Sequence, residues 1–472
     1  MRPTTTATVL RHAWLACAAA LLAGCTTLSP DGGMNDVSAM VGERAGAAVR
    51  RTDPARHDDL VRDAVRQALA GPLTAESAVA LALLNNRGLQ ASLAELGMAE
   101  ADLVQAGWMR NPGFSFSRIR GGHDTEIERA IDIDLAGLLT LPWRSGIEKR
   151  RFAQAKLHAA AQAVRLATDA RKAWIDAVAA QQAAHYMEQV AEAADASLQL
   201  AQRMKKAGNW SALDQAREQA FHAEATAQVA RARHNAVAAR ERLARVLGLA
   251  DGHDAVTLPD RLPDLPKDAA GMSDLETRAL QRRFDVLMAR QDAEATAAAL
   301  GLTRATRVVN VLELGYANVS ETHEPRANGY EIHLELPLFD WGGAKTAKAE
   351  AIYMQALHRT ADVAQRARSE VREAHSAWRA TWDVARRYRD DIVPLRRKIS
   401  EEVLLRYNGM LIGVFELLAD AREQIGAVSA SIEAQREFWN ADADLRAAID
   451  GTGATGTTLR ASAPAASRPD AH

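Results

Sequence analysis

Cysteine is nearly missing from this chain of 472 residues: Cys17 and Cys25 are the only two. If an N-terminal signal is removed with Cys17, the remaining cysteine can build neither an intramolecular disulfide nor a cysteine-based zinc site. Aromatic residues make up 5% of the sequence. That scarcity argues against the roughly three compact domains that length alone would suggest. Excess positive charge is also lacking. The 58 Lys and Arg against 60 Asp and Glu give a formal net charge of -2, so there is no basic footprint for nucleic acid. No apolar run reaches the ~20 residues of a membrane-spanning helix, and the stretch from Ala13 to Leu22 is too short for a stable anchor. No nucleophile elbow, phosphate loop or metal-protease pattern occurs. The 13 histidines are scattered, with His222 and His234 at exposed-type positions among charges. One glycine pattern, "GTGATG" at 451–456, follows a helix, precedes none and sits in a low-complexity tail, so its context is wrong for a dinucleotide site. These absences point away from an enzyme, a metal centre or a bound cofactor.

What is present is abundant alanine and 25% charged residues, a balance suited to long helices and coiled coils. Residues 1–24 read as a targeting signal: Arg2 and Arg11, the apolar core, and then "LLAGC". This segment resembles a bacterial lipoprotein signal, in which Leu22-Ala23-Gly24 precede the cleavage point and Cys25 becomes the lipid-modified first residue. Thr26, rather than aspartate, follows it, which in that sorting pattern favours the outer membrane. Residues 25–72 show little sustained periodicity and are expected to be a mostly extended lead-in. The Gly/Thr/Ala/Ser/Pro tail at 451–472 is expected to be disordered. The three prolines of "DGHDAVTLPDRLPDLPK" mark a linker, 250–272 in full, that separates two stretches of similar length, 73–249 and 273–450.

Both stretches carry the same order of elements. Each opens with a helix, "LTAESAVALALLNNRGLQASLAELGMAEADLVQAG" in one and "SDLETRALQRRFDVLMARQDAEATAAAL" in the other. Thr74 is the expected N-cap of the first, and Ser273 with Glu276 a capping box for the second. Two alternating segments follow in each, "FSFSRI" and "AIDIDL", then "VLELGYANV" and "YEIHLELPLF", with the period of two that marks strands. Next comes a helix of about 66 residues, roughly 100 Å, starting after "LPWRSG" or "LPLFDWGG" and ending near 207 or 408. A glycine-containing break leads to a last helix of about 40 residues. In the second stretch Ala367, Val371, Ala374, Trp378, Thr381, Ala385 and Tyr388 begin a heptad seam continuing through Ile392, Leu395 and Ile399. Pro394 is expected to kink that helix without ending it. Order, length and the tetrapeptide "AREQ", found at Ala216 and Ala421, together indicate an internal duplication.

This organisation resembles the TolC-type outer membrane efflux family over essentially residues 73–450. "QAGWMRNPGFSFS" resembles the family's approach to its first hairpin, "LELPLFDWGGAK" its departure from the second, and "RYNGMLIGVFELLADAREQ" its last helical turn. The resemblance implies a mainly α fold with a small β part. Long coiled-coil helical hairpins would form an α-barrel tunnel into the periplasm, and two β-hairpins per chain would join a trimeric outer membrane β-barrel. It implies a passive duct, in a homotrimer, receiving substrates from a periplasmic adaptor and an inner membrane pump. Independently, four strands cannot close a barrel, since the smallest have about eight, and open edges are not viable in lipid.

The site residues expected on this reading are few. Cys25 would carry the lipid. Trp143, Phe339 and Trp341, where strands meet helices, are candidate membrane-interface anchors. Glu416 and Asp420 share a helix face and are candidates for the periplasmic aperture; Glu416 matches the first acidic position of the family's pattern, while Ala419 stands at the second. Aligning the tetrapeptides puts Ser211 opposite Glu416 and Gln215 opposite Asp420. On that register only the second repeat would carry an acidic pair. The competing reading is a lipid-anchored periplasmic coiled-coil scaffold or adaptor without a pore, which leaves the two β-hairpins unexplained.

Overall fold

A computed structural model describes residues 28–52, 58–249, 256–267, 274–307, 311–335 and 338–451. Cys25, Ser273, the "GTGATG" pattern beyond Gly451 and the tail lie outside the described residues. The chain divides into two compact units, and α1, α4, α5, α8 and α9, defined below, contribute to both. The first unit holds residues 92–159 and 287–363 together with the described residues 28–36; the second holds the remainder.

The lead-in is more regular than expected. It contains α1 (Met34–Ala45) and α2 (Asp58–Ala68), not an extended chain. Val37 and Val41 of α1 are fully buried, which supplies the reason a segment of weak periodicity becomes helical. Each repeat's opening helix is also two helices. In the first repeat α3 (Ala75–Asn85) and α4 (Arg87–Ala106) break at Asn86, with ψ 114. In the second, α7 (Leu275–Arg282) and α8 (Phe284–Thr306) break at Arg283, with ψ 130. Thr74 caps α3 as expected, accepting the Ser77 amide. At the start of α7 the N-cap is Asp274, in a left-handed conformation and without a side-chain cap bond.

The breaks close the far end of each repeat. Asn86 Nδ2 donates to Val246 O at 2.9 Å, and Asn85 Nδ2 donates to Leu247 O and Gly248 O, the last carbonyls of α6 (Ala212–Leu247). Gly248 must be glycine here: its φ is +72 and a Cβ would lie 2.8 Å from Asn85 O. In the second repeat Arg283 Nη1 donates to Ala448 O and the Phe284 amide to Gly451 O, at the end of α11 (Val414–Asp450). Helix C-termini leave carbonyls unpaired, and each break supplies donors for them.

The long helices start and bend differently from the expectation. The first, α5 (Leu135–Lys206), begins 11 residues before the end of "LPWRSG" and carries Pro142 inside it. Asp134 Oδ1 accepts the Gly137 amide at 2.6 Å and so nucleates the helix directly at the strand's end. The second comprises α9 (Gly343–Arg387), a π segment (Tyr388–Ile392) and α10 (Val393–Asn408). Pro394 has no amide hydrogen, and its ring would strike the carbonyl four residues back; the wider turn before it accommodates both. The Val393 amide accordingly donates to Tyr388 O, five residues back. The seam does not continue unchanged past this point. Ala367, Val371, Ala374, Trp378, Thr381 and Ala385 are buried, but Leu395 is 58% exposed. The extra residue in the π turn rotates the helix, so the inward positions beyond it advance by one residue.

Residues 256–267, read as linker, are tightly held. Val256, Leu258, Leu262 and Leu265 are buried. The indole N–H groups of Trp439 and Trp382 donate to Pro263 O and Pro266 O, and the Leu73 amide to Thr257 O. Prolines prevented a helix, but their free carbonyls are acceptors for tryptophans of the bundle.

In the first unit four antiparallel strands form one sheet in the order β1 (Gly113–Gly121), β2 (Asp124–Asp134), β3 (Leu312–Glu321), β4 (Ala327–Leu334). The two expected hairpins therefore join through β2 and β3, in uninterrupted register from Glu126↔Glu321 to Asp134↔Glu313.

Candidate functional site

Because directly paired residues point to the same side of a sheet and alternate residues to opposite sides, the register fixes the composition of each face. One face carries the row Phe114, Ile131, Tyr316, Tyr330, and below it Ile133, Leu314 and Ile332, then Leu312 and Leu334. These side chains are exposed or half-buried, Tyr330 to 84%. No acidic residue of the strands falls on this face. Its charges are Arg118, Arg120 and Arg129, all toward the hairpin turns.

The opposite face carries every acidic residue of the four strands and no lysine or arginine. Asp132 and Glu331 flank Gly315 in one row, and Asp134, Glu313 and His333 form the next. Glu126, Glu128 and Glu321 continue the face toward the turns. Asp134 is engaged with the Gly137 amide and lies 3.7 Å from Arg110. Glu126, Glu128, Asp132, Glu313 and Glu331 are in no ion pair among the described residues. Much of the remainder is small (Ser115, Ser117, Ala130, Gly315, Ala317, Gly329), with apolar Ile119 and Val319 near the turns. Within one strand the division is legible from parity, as Ile332 and Leu334 alternate with Glu331 and His333; the register that merges two hairpins into one surface comes from the fold.

Where strands give way to helices, the expected aromatics are exposed: Trp143 on α5, and Trp341 and the 99% exposed Phe339 between β4 and α9. Gly342, at φ +72 and packed against Arg307, turns the chain there, with its amide bound to Asp340 Oδ1 at 2.8 Å.

The helical turns of the second unit correct the register between repeats. Helix α6 starts at Ala212 after the N-cap Ser211, and α11 at Val414 after Gly413. Superposed by their caps, the repeats place Asp214 opposite Glu416 and Glu218 opposite Asp420. The tetrapeptide therefore sits three residues deeper in α11 than in α6. The expectation that only the second repeat is acidic is overturned: both carry the same carboxylate spacing. Their use differs. Asp214 Oδ2 accepts from the Ser211 amide and hydroxyl at 3.0 and 2.7 Å while Ser211 Oγ accepts the Asp214 amide, closing a capping box. Gly413 has no side chain with which to cap, and Glu416 remains exposed in the first turn.

Asp420 is not exposed beside Glu416. It is 9% exposed and accepts from Ser400 Oγ on α10. Its counterpart Glu218 is 1% exposed and accepts from Ser197 Oγ on α5 at 2.8 Å. Each carboxylate thus ties the two helices of its hairpin together. Between hairpins, Arg422 lies 4.5 Å over the Phe221 ring and 3.9 Å from Glu218. Arg217 lies 5.3 Å over Phe415, which stacks on Trp210. The two "AREQ" copies therefore meet, the arginine of one reaching the glutamate of the other.

Several solved structures that share this fold are outer membrane channels, and at the level of fold the resemblance to the TolC-type outer membrane efflux family is upheld. The structure of CmeC from Campylobacter jejuni, an outer membrane channel, superposes with a TM-score of 0.70 at 16% identity, covering 81% of this chain and 87% of that one. A membrane protein from Pseudomonas aeruginosa gives a TM-score of 0.70 at 21% identity over 79% of this chain and 93% of its own. By sequence, the cobalt-zinc-cadmium resistance protein CzcC of Cupriavidus metallidurans is 25% identical over 277 residues, 57% of this chain. The match spans 64% of that relative's length. No protein-family model matches the sequence.

Proposed function

We propose that the chain is the outer membrane duct of a tripartite export system and that it conducts cationic cargo. The carrying observation is the segregation of acids in the sheet: one face is free of acids and apolar in its rows toward the helices, while the other carries every acidic strand residue and no Lys or Arg. An apolar face of this extent suits lipid, and the acidic face suits a water-filled lumen. Among the described residues the edges β1 and β4 lack partner strands, so three copies supplying twelve strands give the closed barrel that lipid requires. Acids lining a lumen raise the local concentration of cations and repel anions. The sequence match to a cobalt-zinc-cadmium resistance protein supports divalent cations as one cargo class.

The rest of the assembly follows from the same reading. Cys25 carries the covalent lipid in the outer membrane. Trp143, Phe339 and Trp341 mark the periplasmic boundary of the bilayer. Glu416 faces the aperture at the helical tips, while Asp420 holds the hairpin together behind it. Exposed Leu213, Met410 and Leu411 at these tips give an adaptor apolar contact. Energy comes from a pump, because the chain acts as a conduit and not as an enzyme. The pore-free scaffold reading leaves a bare apolar sheet face without a purpose.

The test is electrical. In planar bilayers across a KCl gradient, the purified trimer should give a cation-selective reversal potential. Combining Glu128→Gln, Asp132→Asn and Glu331→Gln should lower the cation-to-anion permeability ratio several-fold. A channel of unchanged selectivity would sink the lumen assignment, and the absence of any conductance would sink the duct. Glu416→Gln alone should change the conductance at the aperture and leave the heat resistance of the trimer unaltered.

A further inference from the structure

The arginines on the apolar face need their own explanation, since cations facing hydrocarbon are costly. Arg118, Arg120 and Arg129 are the only charged residues that the strand register puts on that face, and they cluster at one end of it. Arg129 pairs across to Phe116, Arg118 to Ile127 and Arg120 to Thr125, so the three occupy three successive rows approaching the hairpin turns. The apolar rows lie on the other side, toward the helices. Arg118 and Arg120 are exposed and have no hydrogen bond or ion pair among the described residues. Arg129 is held in place: its Nη1 donates to Asn318 Oδ1 at 3.2 Å, and Asn318 Nδ2 donates to Asn328 Oδ1 at 2.6 Å. The result is a polar ladder running across β2, β3 and β4 just beyond the apolar band.

The two boundaries of this face therefore differ. The helix end is bounded by exposed Trp143, Phe339 and Trp341, and the turn end by guanidinium groups with no carboxylate among them. Aromatic side chains suit any headgroup region, whereas an acid-free arginine cluster selects anions, and phosphate above all, through paired N–H donors. We infer that Arg118, Arg120 and Arg129 bind the phosphate groups of anionic lipid in the leaflet at the hairpin-turn end, fixing the depth and direction of the sheet in the bilayer. This rests on the reading of the sheet as membrane-spanning.

The experiment uses the detergent-purified trimer, with binding of a bis-phosphorylated lipid A measured by native mass spectrometry against its dephosphorylated form. The wild type should favour the phosphorylated lipid by tenfold or more. The combined Arg118→Gln, Arg120→Gln, Arg129→Gln variant should lose that preference and retain conductance in planar bilayers. Lysine at the same three positions should retain part of it, because charge persists without the paired donors. Inorganic phosphate at matched ionic strength should not displace the lipid; full displacement would make this a free-anion site and overturn the inference. A conducting wild-type trimer with no preference for phosphorylated lipid would overturn it while leaving the duct intact. A wild type that neither inserts nor conducts would remove both.

Discussion

The two repeats solve one problem with different chemistry. In the first, the break at Asn86 closes the end of α6 with two neutral amides. In the second, the break at Arg283 places a 1% exposed guanidinium between Asp285, Glu370 and the Ala448 carbonyl. Burial by itself would depress the Arg283 pKa, but hydrogen bonds to Asp285 and Glu370 outweigh it and hold the group above its usual range. Neutral and charged caps occupy the same place in the fold, so their difference isolates the contribution of charge. Arg283→Ala leaves two carboxylates and a carbonyl without their cation, and a broken buried pair costs about 3–5 kcal/mol. Asp285 and Glu370 keep some solvent access, so the lower end of that range is expected. Asn86→Ala removes neutral bonds only, for about 1–2 kcal/mol. Thermal unfolding followed by helical circular dichroism should rank Arg283→Ala well below Asn86→Ala. Equal midpoints would mean that charge is incidental to the closure.

The serine–carboxylate ties come next in size. Glu218→Ala should lower the same midpoint more than Asp420→Ala, each by about 1–3 kcal/mol. Glu218 is the more buried and serves both Ser197 and Arg422, whereas Asp420 serves Ser400. A double replacement should show coupling if the hairpins act together through Arg422, and additive losses if each acts alone. The comparison has a functional side as well. If Asp420 behaves as a structural tie, Asp420→Asn should keep the selectivity of the channel, and a loss of cation selectivity as large as that of Glu416→Gln would restore it to the aperture.

How far the sequence could be read depended on the range of the interactions. The order of helices and strands, the β-hairpins, the Thr74 cap and the duplicated arrangement rest on local signals, and all appear in the fold, whereas the helix bounds and breaks do not follow from them. The breaks at Asn86 and Arg283 were invisible because their cause lies about 160 residues away, at the ends of α6 and α11. The same holds for the linker, whose carbonyls are claimed by Trp382 and Trp439. The repeat register was misread for a different reason. The four matching letters and the caps give registers three residues apart; such a slip moves each position by about 4.5 Å along the axis but turns the face by only about 60°, so helical periodicity alone does not reveal it. Asp420 looked like half of an exposed pair with Glu416, but only the partner helix α10 determines which of the two is buried.

A smaller effect separates the hairpins by pH. Glu437 on α11 is half-buried, and burial, followed by the charge of Glu433, pushes its carboxyl above the ordinary range. A carboxyl raised on folding contributes stability below its unfolded value of about 4.3, and that contribution is lost as pH rises through the folded value. Glu437→Gln should therefore stabilise the protein near neutral pH, with the gain shrinking to nothing in acid. A gain independent of pH would point to packing and not to ionisation.

The least of these effects is expected at the helix caps, where the repeats differ by one side chain. Ser211 closes a capping box on α6, whereas Gly413 begins α11 with extended φ and ψ of -82 and 163 and offers no acceptor. Those angles suit serine without strain, and a Cβ at Gly413 would meet nothing within 4 Å. Gly413→Ser should add a cap worth a few tenths of a kcal/mol. Glu416 already stands at the N3 position, so the new hydroxyl, beside the backbone amide already present, would draw its carboxylate into a box like that of Asp214. The stability gain and the proposed aperture would then be linked: a protein slightly more heat-resistant should also behave as though Glu416 were partly neutralised. If Gly413→Ser stabilises without changing conductance, the free carboxylate of the second repeat is not what distinguishes its tip from that of the first.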